Sequence, residues 1–216
     1  MTEQNYEQMR RAMVASQLRT TGVDDPRVIA AMGAVPRERF VPADRRAVAY
    51  ADTLAPLGGG RELNTPMALG RLLAEARPDE GDRALLIGAA TGYAAAVLAR
   101  LVGSVVAVEE DAALAAQAKD ALKGAGVKLV EGPLAKGWKR GAPYDLILID
   151  GAVESVPDAL IAQLAENGRL AAAILDKGVA RISIGRRGGA AFGMVAVADA
   201  ASAVLPGFEK PRGFIF

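Results

Sequence analysis

The fold is decided by the stretch Arg83-Ala84-Leu85-Leu86-Ile87-Gly88-Ala89-Ala90-Thr91-Gly92-Tyr93, which runs on into an alanine-rich segment ending at Arg100. It begins with a short apolar run, typical of a strand buried on both faces of a parallel sheet. A turn bounded by Gly88 and Gly92 follows, and the alanine-rich segment after it favours a helix. A strand, a tight turn and a helix in this order predict the nucleotide end of a Rossmann-like unit, where the helix N-terminus faces a ligand.

A second apolar run, Val105–Val108, ends on Glu109. Glu109 follows Gly88 by 21 residues, close to the ~20 that separate such a turn from its ribose-binding acid. The spacing predicts Glu109 as a ligand of ribose hydroxyls. Two other interpretations stay open, namely a tight turn without a ligand and an acidic segment, Glu109-Glu110-Asp111, that caps the next helix.

The composition excludes several kinds of chemistry. The 216 residues contain no cysteine and no histidine, so disulfides, thiolate catalysis and imidazole acid–base catalysis are excluded. The net charge is +1 and Arg186-Arg187 is a small basic cluster, so we expect neither a nucleic acid nor an anionic membrane as a partner.

The location expected from the sequence is the cytoplasm. The first residues are polar and acidic and do not resemble a signal peptide. The longest uncharged run, Ala84–Ala99, is shorter than the ~20 apolar residues that a membrane span needs.

Helical and strand patterns alternate along most of the chain. Helices are predicted from apolar periodicity and capping residues such as Asp25 and Thr65, over residues 3–21, 26–32, 43–49, 67–76, 111–123 and 157–165. Strands are predicted over residues 83–87, 105–109, 127–130, 144–150 and 168–174, with a hairpin over 179–184 and 192–197 and a final edge segment over 213–216.

This order predicts an α/β, Rossmann-like fold of the S-adenosylmethionine-dependent methyltransferase type. The expected sheet is seven-stranded and mostly parallel, with a C-terminal antiparallel hairpin and an N-terminal helical cap. We expect one domain over residues 1–216, with the cap in residues 1–60 and the core in residues 61–216. A nicotinamide-dependent oxidoreductase is the less favoured alternative, because G-x-G-x-x-G is missing.

Several collinear motifs resemble the protein-L-isoaspartate O-methyltransferases. The motifs are Asp25-Pro26-Arg27-Val28, Val35-Pro36-Arg37 with Phe40-Val41-Pro42, Pro56-Leu57-Gly58, Gly92-Tyr93-Ala94-Ala95-Ala96-Val97-Leu98-Ala99, and Lys136-Gly137-Trp138 with Ala142-Pro143-Tyr144-Asp145. They extend over nearly the whole chain, so the resemblance concerns the fold as well as local segments.

The resemblance implies methylation of isoaspartyl carboxylates in a damaged peptide or protein, with S-adenosylmethionine as cofactor. Such a carboxylate is already ionised at neutral pH, so no histidine base and no metal are required. The resemblance implies a catalytic role for Asn64 and substrate contacts by Leu57, Gly58, Gly59 and Asn64. The implied cofactor residues are Gly88, Ala89, Ala90, Thr91, Gly92, Glu109, Glu110, Pro133 and Leu134.

The chain departs from the family pattern at residues that contact ligands. Asn64 replaces a serine, Leu86 a carboxylate, Ala90 a glycine and Pro133 an aspartate. Two lost polar contacts at roughly 1 kcal/mol each, together with backbone strain at Ala90, predict cofactor binding that is weaker by a few tens to hundreds of fold. A catalytically impaired relative that acts as a binding or scaffolding protein is therefore the second hypothesis.

Two carboxylates end predicted strands outside these motifs. Asp150 and Asp176 resemble the magnesium-binding acids of catechol-type O-methyltransferases. Only these two residues carry the likeness, so we favour the interpretation that neither carboxylate binds a metal. We expect Trp138 to pack within the fold and not to contact the substrate.

Overall fold

The computed structural model describes residues 5–210, and its centre is a seven-stranded sheet. The strands are β1 (Ala55–Gly58), β2 (Arg61–Leu63), β3 (Arg83–Ile87), β4 (Ser104–Glu109), β5 (Val127–Glu131), β6 (Tyr144–Val153), β7 (Leu164–Asp176), β8 (Val179–Gly188) and β9 (Ala191–Asp199). Their order in the sheet is β5-β4-β3-β6-β7-β8-β9, and β1 and β2 form a separate antiparallel pair.

Four of the six α-helices in the described residues begin after a capping side chain, at Asn5, Asp25, Thr65 and Asp111. The six helices are α1 (Tyr6–Met13), α2 (Pro26–Ala34), α3 (Pro66–Ala76), α4 (Tyr93–Leu98), α5 (Ala112–Ala121) and α6 (Asp158–Ile161). A π-helical turn over Val14–Leu18 and a 3₁₀ turn over Arg19–Thr21 extend α1 up to Gly22. The Asp25 carboxylate accepts from the Arg27 N–H, and the Thr65 hydroxyl accepts from the Ala68 N–H. Both predicted caps are confirmed.

The central strands bury side chains on both faces. Leu86 belongs to an apolar cluster that includes residues of α2 and α3, whereas its neighbours Leu85 and Ile87 belong to the cluster on the other face, with Leu160 of α6. This alternation is what a strand between two layers requires. It explains why β3 is a continuous apolar run.

The topology places a switch point of the sheet at the carboxyl ends of β3, β4 and β6. β3 pairs in parallel with both β4 and β6, so the carboxyl ends of the three strands meet at one edge. The chain passes from β3 to β4 on one side and returns to β6 on the other. Ligands of open α/β sheets bind in the crevice at such a switch point.

The predicted fold class is confirmed, including the antiparallel pairing of β8 with β9. The predicted helix over 157–165 is wrong at its end, because α6 ends at Ile161 and Leu164 already pairs with Tyr144 of β6. The edge segment predicted over 213–216 lies outside the described residues. The division into a cap of residues 1–60 and a core of residues 61–216 stays a prediction.

Candidate functional site

The turn between β3 and α4 has the expected conformation. The N–H groups of Gly88 and Ala89 donate to the carbonyl oxygen of Val108 at 3.1 and 3.0 Å. Gly88 and Gly92 have φ of 80° and 101°, and Ala90 has φ of 48°. Left-handed backbone costs an alanine about 1–2 kcal/mol relative to a glycine. The condition for strain at Ala90, a positive φ, is met.

Glu109 ends β4 with a fully buried carboxylate. Its Oε1 accepts from the N–H groups of Glu110 and Asp111 at 2.9 and 3.0 Å, and its Oε2 accepts from the Ala90 N–H at 2.7 Å. The two terminal nitrogens of Arg61 also donate to the two carboxylate oxygens, at 2.6 and 3.1 Å. Glu109 thus accepts five hydrogen bonds within the described residues.

Arg61 reaches Glu109 from the β1–β2 hairpin. Gly58, Gly59 and Gly60 make the hairpin turn, and all three have positive φ. The turn lies beside the segment that follows β4, since a Cβ built on Gly59 would be 3.7 Å from Oδ2 of Asp111. Sequence reasoning did not assign Arg61. The available signal was a single arginine directly after three glycines, in a segment expected near the substrate.

Asn64 connects β6 to the C-terminal segment. Its side-chain Nδ2 donates to Oδ1 of Asp150 at 2.9 Å. Its Oδ1 accepts from the Ser202 hydroxyl at 3.0 Å and from the Ala203 N–H at 2.9 Å. Asn64 is buried, so its amide is committed to these three partners.

Asp150 is buried within β6, which continues to Val153, so the prediction that Asp150 ends this strand is wrong. Burial raises the pKa of its carboxyl to about 6, against the opposing effects of the Asn64 hydrogen bond and of the Arg37 and Arg61 charges. Asp176 lies at the exposed end of β7. Within the described part of the chain, no group of three or more acidic residues is arranged to hold a metal ion.

Arg37 supports Asn64 from the N-terminal region. It is buried, and it donates to the carbonyl oxygens of Ala49 and Asn64 at 2.7 and 2.6 Å. Its guanidinium lies 4.8 Å from the ring centre of Tyr93. Burial lowers the pKa of Arg37 and raises the pKa of Tyr93 to about 12. Sequence reasoning missed this role, because Arg37 belongs to a motif quoted only for resemblance.

A C-terminal segment, residues 200–208, covers the edge of the sheet. The Ala152 N–H donates to the Ala203 carbonyl at 2.6 Å, and the Leu205 N–H donates to the Ala152 carbonyl at 2.9 Å. Leu205 is buried against two glycines, since a Cβ on Gly88 would lie 3.0 Å from its Cδ1 and a Cβ on Gly151 would lie 2.5 Å from its Cγ.

The other assigned residues lie around this edge. The Thr91 hydroxyl donates to the Phe40 carbonyl at 2.6 Å, and the Leu134 N–H donates to Oε2 of Glu110 at 3.3 Å. The remaining assigned residues differ in burial; Ala89 is buried, Leu57 is half-buried, and Gly58, Gly59 and Pro133 are exposed. The structure therefore brings Glu109, Glu110 and the Gly88–Gly92 turn together. Their ligand contacts stay predictions.

As arranged here, the crevice does not fit an adenosyl group. The Gly88–Gly92 turn is buried by the chain itself. Both oxygens of Glu109 are occupied by Arg61 and backbone N–H groups, so ribose hydroxyls find no free acceptor. Leu205 fills the space beside Gly88. An adenosyl group bound to the predicted residues would require Arg61 and Leu205 to move.

The ring of Trp138 packs against other side chains, as expected. It is half-buried against an apolar cluster, and Lys128 and Arg140 lie 5.8 and 5.7 Å from its ring centre. A search of residues 5–210 for a helix long and apolar enough to cross a membrane finds none.

The strand order and the glycine-bounded turn define a Rossmann-like protein of the methyltransferase class. A family model described as protein-L-isoaspartate(D-aspartate) O-methyltransferase (PCMT) matches residues 9–193. The chain belongs to this family.

Relatives named for the same family are similar to this chain in sequence. A protein-L-isoaspartate O-methyltransferase 1 of Rhodopseudomonas palustris is 41% identical over 169 residues, which are 77% of this chain and 69% of that protein. A protein-L-isoaspartate O-methyltransferase of Methanoregula boonei is 39% identical over 186 residues, 85% of this chain and 86% of that protein.

Solved structures agree in fold. One protein-L-isoaspartate O-methyltransferase superposes with a TM-score of 0.79 at 25% identity, covering 94% of this chain and 66% of that one. A beta-aspartate methyltransferase (PCMT) of Plasmodium falciparum, in complex with S-adenosyl-L-homocysteine, gives a TM-score of 0.78 at 18% identity over 94% and 99% of the two chains. At this identity the second likeness concerns the fold alone.

Proposed function

We propose that the chain is an S-adenosylmethionine-dependent methyltransferase that methylates isoaspartyl carboxylates in damaged proteins or peptides. The observation that carries this proposal is family membership over residues 9–193, a range that contains the whole Gly88–Gly92 turn and Glu109. Relatives at about 40% identity are named for this activity.

The residues present suit an acceptor that needs no base. The chain has no histidine, and a carboxylate is ionised at neutral pH, so no proton has to be removed before transfer. What remains for the protein is to hold the reacting groups in line and exclude water. We assign the orientation of the acceptor carboxylate to the Asn64 amide, whose Nδ2 has to release the Asp150 carboxylate, 2.9 Å away in the arrangement described, as the crevice opens.

The proposed activity assigns a ligand contact to each of the following residues. Glu109 is the proposed acceptor for ribose hydroxyls, and the hairpin residues Leu57, Gly58 and Gly59 the proposed substrate contacts. These roles require the crevice to open. Location in the cytoplasm and the absence of a nucleic-acid partner remain predictions from composition.

Methyl transfer to peptides tests the proposal. The chain is incubated with methyl-labelled S-adenosylmethionine and an isoaspartyl peptide, and the same peptide with a normal aspartyl linkage is the control. Label is expected in the isoaspartyl peptide. If neither peptide is labelled at saturating peptide and millimolar cofactor, the proposal fails, and the non-catalytic relative becomes the function to pursue.

A further inference from the structure

Two parts of the chain that are distant in sequence occupy the crevice. Arg61 comes from the β1–β2 hairpin, and residues 200–208, here called the closing segment, follow β9. We propose that Arg61 and the closing segment form an intramolecular closure, which the nucleotide must displace before it binds. The proposal rests on the proposed function only for the identity of the nucleotide, an adenosyl thioether or sulfonium.

The first component is the Arg61–Glu109 ion pair. The side chain of Arg61 is 6% exposed and that of Glu109 is fully buried. Both terminal nitrogens of Arg61 are used on the carboxylate. A ribose placed on Glu109 would compete with a bidentate, charge-assisted pair, the strongest class of side-chain hydrogen bond.

The Arg61 pair is incompletely satisfied. Arg61 Nε is buried without a hydrogen-bond partner among residues 5–210. A buried donor without a partner costs free energy in the closed state. The closure is consequently less stable than a fully bonded pair, which makes displacement by a ligand feasible.

The second component is the closing segment. Ala203 and Leu205 exchange backbone hydrogen bonds with Ala152 of β6, so the segment lies along the carboxyl end of that strand. Leu205 packs on Gly88, the first glycine of the turn. Ala203, Leu205 and Phe208 are buried, so the segment is a packed part of the edge.

Asn64 joins the two components. It lies three positions after Arg61 in the sequence. Its side-chain oxygen accepts from Ser202 and from the Ala203 N–H of the closing segment. Movement of the β1–β2 hairpin therefore pulls on the closing segment, and we expect the two to open together.

A closed population lowers the apparent affinity. When only a fraction of molecules is open, the observed dissociation constant equals the intrinsic one divided by that fraction. Loosening either component should tighten nucleotide binding, although neither change adds a contact to the nucleotide. This direction is opposite to that expected for a residue that lines a working pocket.

Calorimetry with S-adenosylhomocysteine tests the closure in three variants. Leu205→Ala removes the side chain on Gly88. Arg61→Lys keeps a positive charge for Glu109 but cannot bind both oxygens in the same way. Leu164→Ala is the matched control, because Leu164 is also buried in the same cluster but pairs with the opposite, amino-terminal end of β6. Binding at least tenfold tighter is expected for Leu205→Ala and several-fold tighter for Arg61→Lys, with no gain for Leu164→Ala.

Hydrogen exchange on the unmodified protein gives a second measurement that needs no variant. Saturation with S-adenosylhomocysteine should speed exchange of the Ala203 and Leu205 amides by at least tenfold, since their acceptors are lost on opening. Unchanged exchange, or affinities of Leu205→Ala and Arg61→Lys within twofold of the unmodified protein, overturns the closure; absence of binding in all variants does so too.

The outcomes separate the closure from the proposed activity. Methyl transfer to isoaspartyl peptide without any gain of affinity in the variants disproves the closure and keeps the methyltransferase. Tighter binding in the variants without methyl transfer keeps the closure and disproves the activity.

Discussion

Glu109 and Asp150 are two buried carboxylates on two strands that flank β3, and the protein treats them oppositely. Glu109 accepts five hydrogen bonds, two of them from Arg61. Asp150 accepts one side-chain hydrogen bond, from Asn64, within the described residues. Burial accordingly raises the pKa of Asp150 to about 6.

The difference shows that two buried carboxylates at one edge of a sheet can have very different hydrogen-bond surroundings. Burial with few donors disfavours the charged form of a carboxylate, which is the situation of Asp150. Glu109 is held by the fold as one half of an ion pair. Asp150 has few donors, and burial raises its pKa.

The largest effect is expected from removing the countercharge of Glu109. Arg61→Met leaves a buried carboxylate without a partner, so we expect the free energy of unfolding to fall by about 3–5 kcal/mol. Urea unfolding at pH 7 measures it. The double variant Arg61→Met/Glu109→Gln should recover much of the loss, because both charges are then absent; a double variant as unstable as the sum of the single ones would refute the pairing energy.

The second effect concerns the pH dependence of stability. The folded pKa of Asp150, about 6, lies above the usual unfolded value of about 3.9. Its contribution to stability is therefore fully present below pH 4 and is lost as the pH rises through 6. The loss is about 3 kcal/mol.

Asp150→Asn tests this dependence, because asparagine keeps an oxygen for Asn64 and does not ionise. The variant should lack the decline between pH 4 and pH 6 and be more stable than the unmodified protein at pH 7.5. Equal pH profiles in urea unfolding would show that Asp150 is as well solvated as an ordinary aspartate.

Removal of the single side-chain donor to Asp150 should have the next effect. Asn64→Ala deprives the Ala203 N–H and the Asp150 carboxylate of their partners, so a loss of about 2–3 kcal/mol is expected. The same variant should raise the Asp150 pKa further, which moves the decline of stability to higher pH. A lower pKa, followed by the carboxyl resonance in NMR, would contradict the role given to Asn64.

The smallest effect is expected at the turn that donates to Glu109. Ala90→Gly removes the cost of φ at 48°, about 1–2 kcal/mol, and loses about 0.8 kcal/mol of buried methyl. The net change is a gain of up to about 1 kcal/mol. Thermal unfolding measures it, and a loss greater than 1 kcal/mol would mean that the methyl packs better than it strains.

The elements of the sheet could be predicted from the sequence, whereas the contacts at its edge could not. The β3 run, the Gly88–Gly92 turn and the caps at Asp25 and Thr65 were predicted, because each depends on contacts within a few residues. The end of the helix before Leu164 was not, since the pairing of Leu164 with Tyr144 is tertiary.

The partners of the site residues were hidden for a related reason. Arg61 and Glu109 lie 48 residues apart, and Asn64 and Ala203 lie 139 apart. No periodicity or spacing rule connects such pairs. The lone arginine after three glycines indicated a special segment without indicating its partner.

The sequence by itself determined the class of fold, the family and the positions of the turn and its acid. Apolar periodicity, glycine conformations and collinear motifs act locally, so the chain order carries them. The tertiary structure decided which side chains contact Glu109 and the glycine turn. The β1–β2 hairpin and the closing segment converge on one edge of the sheet, and they bring Arg61 to Glu109 and Leu205 to Gly88. The physical reason is that a buried charge needs a countercharge and a buried apolar surface needs an apolar neighbour, and both can come from any part of the chain.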